Sequence, residues 1–115
     1  MHKFNVLVEK PFGRNRYECE DLIKTAKEND VKVFVFQQTF FADFYIKAVE
    51  IIESGVLGEV KQVDLRYNGL ARRWDWQTYQ GYNGGEVRNT GPHPLDQALD
   101  ILGFDDNITV FSKLD

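Results

Sequence analysis

The chain has 115 residues, 43% of them hydrophobic, with nine Phe, five Tyr and two Trp, a make-up that excludes intrinsic disorder and suits one folded domain. A formal net charge of -4 argues against nucleic-acid partners, which require a basic patch. A single cysteine, Cys19, excludes an internal disulfide and fits a reducing, cytoplasmic compartment, and no apolar run approaches the ~20 residues of a membrane-spanning helix.

The first predicted element is a short buried strand over Phe4 to Val8, bounded by Pro11 and Gly13. It ends in Glu9-Lys10-Pro11, so a lysine stands at the carboxyl edge of a strand, where open α/β sheets bind their ligands. Asn15 is a suitable cap for a helix whose apolar face is Cys19, Leu22, Ile23 and Ala26. Val31 to Phe36 then reads as a second, largely apolar strand, as in the interior of a parallel sheet. Strand, helix and strand form one βαβ unit with a right-handed crossover.

A second helix keeps the 3.6 period through Phe41, Phe44, Tyr45, Ala48, Ile51 and Ile52, with Gly55 as its stop. Val60 to Tyr67 alternates like a strand, with Lys61, Val63, Leu65 and Tyr67 on the better buried face. Gly69 to Gly85 has no period and carries both tryptophans, which predicts a long functional loop. Pro92 and Pro94 fit the first turn of a third helix, with the stripe Leu95, Ala98, Leu99 and Leu102 and a stop at Gly103. Ile108 to Leu114 reads as one more strand. The change from parallel βαβ patterning to an alternating strand puts a domain boundary near Gln37 to Phe41.

Three groups of residues could carry chemistry. Lys10 can hydrogen-bond a substrate hydroxyl and stabilise a developing alkoxide, or it can be an ordinary lysine leaving a strand for water. His93, the sole histidine besides His2, suits a general base near neutral pH, or it can simply sit at a helix start. On helical spacing Asn89, His93 and Asp96 share one face. In Arg72-Arg73-Trp74-Asp75-Trp76, indole faces suit sugar rings and guanidinium forks suit carboxylates or phosphates; the other reading is a loop pinned by its indoles. No G-x-G-x-x-G, no G-x-x-x-x-G-K-[ST], no G-x-S-x-G and no metal-spaced His/Cys cluster occurs.

Taken together, VLVEKPFG at 6–13, VKVFVFQQ at 31–38, IESGVLGEV at 52–60 and GGEVRNTGPHPLDQALDILG at 84–103 resemble the Gfo/Idh/MocA oxidoreductases, the group of glucose-fructose oxidoreductase and inositol dehydrogenase. The resemblance implies an α/β (α+β) chain. Residues 1–37 would be the C-terminal βαβ part of a Rossmann domain, and residues 38–115 the start of a mostly antiparallel sheet domain with a packed helix. It also implies a fragment lacking the G-x-G-x-x-G unit and the later sheet strands. The implied reaction moves a hydride between NAD or NADP and a secondary alcohol of a sugar or cyclitol. Lys10 and His93 match the family's catalytic lysine and histidine, and Asn89 stands where the family often has aspartate. Glu9, Lys10 and Pro11 would meet the cofactor, and Arg72, Arg73, Trp74 and Trp76 the sugar or polyol, with Gly84, Gly85 and Asp96 structural. A homo-oligomer is implied too. The competing expectation, from the missing cofactor motif and the sheet edges left unpaired, is a non-catalytic interaction or oligomerisation module.

Overall fold

The computed structural model describes residues 3–70, 72–105 and 107–113. Its α/β core is a two-stranded parallel sheet of β1 (Val6–Glu9) and β2 (Val33–Phe36), joined by helix α1 (Arg16–Glu28). Val6 pairs with Val33 and Glu9 with Phe36, so both strands end at the same edge. β1 starts two residues later than the apolar run suggested, and its last residue is Glu9, which leaves Lys10 immediately beyond the ladder. The Lys10–Pro11 peptide is cis. Asn15 caps α1 as its sequence indicates, its side chain accepting from the Glu18 backbone N–H. Ala26 of the α1 stripe is buried, whereas Leu22 and Ile23 stay largely exposed.

A 3-10 turn at Gln38–Phe41 leads into α2 (Asp43–Glu53), which ends at Ser54 before Gly55 turns with φ of 74°. Phe41 therefore precedes the helix instead of opening it. Tyr45 is the buried anchor of α2: its ring meets Phe40 edge-on, with centroids 5.4 Å apart. Its hydroxyl donates to Asp100 at 2.5 Å, and burial, then this bond, push its pKa well up.

The chain from 60 to 67 keeps the expected alternation only in its middle, where Val63 and Leu65 are half-buried and Gln62, Asp64 and Arg66 exposed; Lys61 and Tyr67 of the expected inner face are exposed, and Val60 is half-buried. The segment pairs with no strand among the described residues. The same holds for 108–113, and Leu114 lies outside the described residues. Apolar alternation sets which side chains face inward, but a ladder needs a neighbour to accept and donate its hydrogen bonds. The expected long loop contains two 3-10 turns, Trp76–Thr78 and Gln80–Tyr82. Two helices follow, α3 (Glu86–Asn89) and α4 (Pro92–Leu102), the latter with proline in its first turn.

The apolar stripe of α4 is not its buried face. Leu95 and Leu102 are exposed, while His93 is 8% and Gln97 0% exposed. Gln97 is held by Thr39 O, to which it donates at 3.2 Å, and by the Tyr67 hydroxyl, which donates to its Oε1 at 3.1 Å. A fully buried amide with both ends bonded costs little, so this polar side of α4 can pack inward. No described helix is long and apolar enough to cross a membrane.

Candidate functional site

The site forms where the ends of β1 and β2 meet the end of α3 and the start of α4. Lys10 is half-buried, and its Nζ donates to the Asn89 carbonyl oxygen at 2.5 Å and to Asn89 Oδ1 at 3.1 Å. Backbone and side chain of one residue thus hold the ammonium across 79 positions of sequence. Of the three residues expected on one helical face, His93 and Asp96 stand three apart in α4 and Asn89 closes α3, with a helix break at Thr90 and Gly91 between them. The break separates the roles: Asn89 serves Lys10, and Asp96 serves Gln37.

His93 Nδ1 lies 3.0 Å from Gln37 Oε1 and 3.2 Å from Thr39 Oγ1. Gln37 Nε2 in turn donates to the Pro92 carbonyl at 3.2 Å and to Asp96 Oδ2. Burial pushes the His93 pKa below its usual 6.5, the Lys10 cation adds to that, and Asp96 and Glu9 oppose it. The ring is accordingly neutral at pH 7, able to accept a proton.

Lys10, Asn89 and His93 line one cavity of about 470 Å³ with Glu9 and Pro11, a size within the range of small-molecule sites. Arg73 and Trp76 reach it from the loop, and Arg88 from α3. Arg72 and Trp74 are not among its walls, and Trp74 is 92% exposed. Arg73 is engaged by Asp75, with Nε donating at 3.0 Å, while Arg88 meets the neutral Asn83 side chain at 3.2 Å. The loop is locked to α3 at Gly84, where an added Cβ would lie 2.6 Å from the Gln77 carbonyl carbon. Beside it, Gly85 N–H donates to Gln77 O at 2.6 Å.

Sequence reasoning missed Gln37, Thr39 and Arg88. Gln37 had a signal: it directly follows an apolar strand, as Lys10 does, and parallel strands end at one edge. Among the described residues, no group of three or more His, Cys, Asp or Glu is placed to hold a metal ion.

The α1 N-terminus does not fit a dinucleotide pyrophosphate: Asn15 caps it, Glu18 is tied to Arg14, and no glycine-rich turn precedes it. The cavity at the strand ends is lined by Glu9, Lys10 and Pro11, the residues expected to meet such a cofactor.

Residues 45–113 match the model of the GFO/IDH/MocA C-terminal domain. The chain is 33% identical over 107 residues to an uncharacterized oxidoreductase of Schizosaccharomyces pombe, covering 91% of this chain and 29% of that protein. It is 31% identical over 105 residues to the uncharacterized oxidoreductase YhhX of Escherichia coli, covering 90% of this chain and 30% of YhhX. A scyllo-inositol 2-dehydrogenase (NADP(+)) of Bacillus subtilis is 24% identical over 107 residues, covering 91% of this chain and 30% of the enzyme. The chain therefore spans about 30% of the length of these curated relatives. No solved structure matches. The domain match over more than half of the chain decides the assignment: the chain belongs to the Gfo/Idh/MocA family of oxidoreductases.

Proposed function

We propose that this chain is the lysine- and histidine-bearing part of an NAD(P)-dependent oxidoreductase acting on a secondary alcohol of a sugar or cyclitol. The observation that carries the reading is one cavity lined by an anchored ammonium and a neutral imidazole, Lys10 and His93. The alcohol oxygen sits between them. His93 takes the hydroxyl proton, and Lys10 donates a hydrogen bond to the oxygen as negative charge develops on it. Asn89 keeps the ammonium in place without competing for the proton. A nicotinamide bound beside Glu9, Lys10 and Pro11 would supply the acceptor for the hydride on the carbinol carbon. In the reverse direction His93 returns the proton and Lys10 polarises the carbonyl. Trp76 offers an apolar face for the ring of the substrate, and Arg73 a polar edge. The division into a cofactor-binding part at 1–37 and a substrate part at 38–115, a cytoplasmic location and a homo-oligomer belong to the same proposal. The relative from Bacillus subtilis, whose name gives an inositol and NADP, supports the substrate class and the cofactor.

In the full-length protein, Lys10→Ala is expected to lower kcat by about 10²–10³-fold, the scale of losing one oxyanion donor, with little change in cofactor affinity. An unchanged kcat removes Lys10 from the chemistry.

A further inference from the structure

The two nitrogens of His93 are not equivalent, and the difference originates two residues away from the ring. Gln37 Nε2 faces two acceptors, the Pro92 carbonyl and the Asp96 carboxylate. Turning the amide over would set its oxygen against both, an arrangement with three acceptors and no proton between them. The amide oxygen is therefore committed to His93, 3.0 Å from Nδ1. An oxygen acceptor at that distance requires a proton on Nδ1. Thr39 Oγ1, at 3.2 Å, shares that proton or turns its own hydrogen elsewhere.

Nε2 is left as the lone pair. It has no hydrogen-bond partner among the described residues, where no buried side-chain nitrogen is unpartnered, so it opens into the cavity that His93 lines. We propose that Gln37, clamped by Asp96 and the Pro92 carbonyl, is a positioning residue that holds His93 in the Nδ1–H tautomer and aims Nε2 at the substrate. The arrangement reaches the end met by other enzymes with an aspartate behind a histidine, but with a neutral amide between them. The amide fixes the tautomer without stabilising the imidazolium as a directly bonded carboxylate does.

The charged groups around the ring are Lys10 and Glu9 from the end of β1 and Asp96 from α4. Lys10 opposes protonation and the two carboxylates favour it. In Gln37→Glu the outer oxygen faces Asp96 and must share a proton with it, while the inner oxygen remains the acceptor for Nδ1 and brings the shared negative charge to hydrogen-bond distance of the ring, so the pKa of His93 rises. Gln37→Leu removes the obligate acceptor and leaves Thr39 Oγ1, which can donate to Nδ1 as well as accept from it, so the ring is free to exchange tautomers.

The primary test is a two-bond proton–nitrogen NMR spectrum of the full-length protein with 15N-labelled histidine, at a pH where His93 is neutral. In it Nε2 couples to both ring carbon protons and Nδ1 mainly to one, so the two are told apart directly. The expected spectrum has His93 Nδ1 protonated and Nε2 bare. A protonated Nε2 in the unmodified protein overturns the proposal, whatever the variants do. Gln37→Leu is expected to give averaged nitrogen shifts, and Gln37→Glu to keep the tautomer and move the midpoint upward. A tautomer unchanged in folded Gln37→Leu also overturns it.

The kinetic arm rests on His93 being the base of the proposed reaction. There, Gln37→Leu should lose up to about 10²-fold in kcat with KM little changed, and Gln37→Glu should shift the acidic limb of the kcat/KM profile to higher pH. A confirmed tautomer with no kinetic response to either variant would sink the catalytic reading of His93 and leave the positioning intact.

Discussion

Burial and the Lys10 ammonium both keep His93 neutral at pH 7, and the consequences for stability and activity have one sign. In the unfolded chain the ring titrates near 6.5, and in the folded protein it titrates lower. Below pH 6.5 the unfolded chain holds more protons at this site, so acid favours unfolding. The stability this ring contributes is complete above pH 6.5 and is lost as pH falls through the folded value. Activity that needs the neutral ring follows the same limb, rising to a plateau below neutrality. Lys10→Met keeps the aliphatic stem and removes a charge that lowers the His93 midpoint, which should therefore rise. Following the ring's carbon-bound protons through a pH titration checks this. A midpoint that stays put or falls would mean that Lys10 does not bear on the imidazole.

At the scale of elements, the parts legible in the sequence are those whose signals are local. Asn15 caps α1, Gly55 follows α2, and Pro92 opens α4, because capping and the 3.6 period depend on residues a turn away. Elements that depend on a distant partner were not legible in that way. Residues 60–67 carry a strand's alternation but find no ladder, and α3 is a single turn too short to show a period. The buried face of α4 escaped for a different reason. Hydrophobicity marks Leu95 and Leu102, while the face packed inward is chosen by the hydrogen bonds that Gln97 donates to Thr39 O and accepts from Tyr67, which no spacing encodes. The site shows the same split: Lys10 and His93 were visible by type and place, Gln37 only through the amide geometry that joins them. Gly84 gives this scale its prediction. Its missing side chain lets the Trp76–Thr78 turn lie against the start of α3, so Gly84→Ala must push the two apart. We expect a loss of about 1–3 kcal/mol, the cost of overpacking, read as a lower urea midpoint. Gly81→Ala, where nothing lies within 4 Å, should leave the midpoint nearly unmoved. Equal effects at the two glycines would rule out the close approach as the cause.

For the whole molecule, surface and size decide how the chain behaves by itself. Its radius of gyration is 16.9 Å, against about 13 Å for a compact domain of this length. Its accessible surface is 10169 Å², against roughly 6,500 Å² for a folded monomer of its mass. Much of the excess is apolar, with Leu7, Phe34, Phe36, Phe104, Val110 and Phe111 exposed. Apolar surface on that scale drives association, as does a two-stranded sheet whose outer edges pair with no other strand among the described residues. The isolated 115-residue chain should therefore bind a hydrophobic dye and run in solution as a species larger than 13.4 kDa. It should also leave Trp fluorescence unquenched by micromolar NADH, since on the proposed division of labour the pyrophosphate cradle lies outside these residues and the capped start of α1 offers none. The full-length protein, with those faces covered, should show neither the dye binding nor the excess association and should bind the nucleotide. A monodisperse 13.4 kDa chain that ignores the dye would mean that its exposed faces close on one another in solution. Saturable quenching by NADH would place a complete cofactor site within these residues, and the division of labour proposed for residues 1–37 would have to be abandoned.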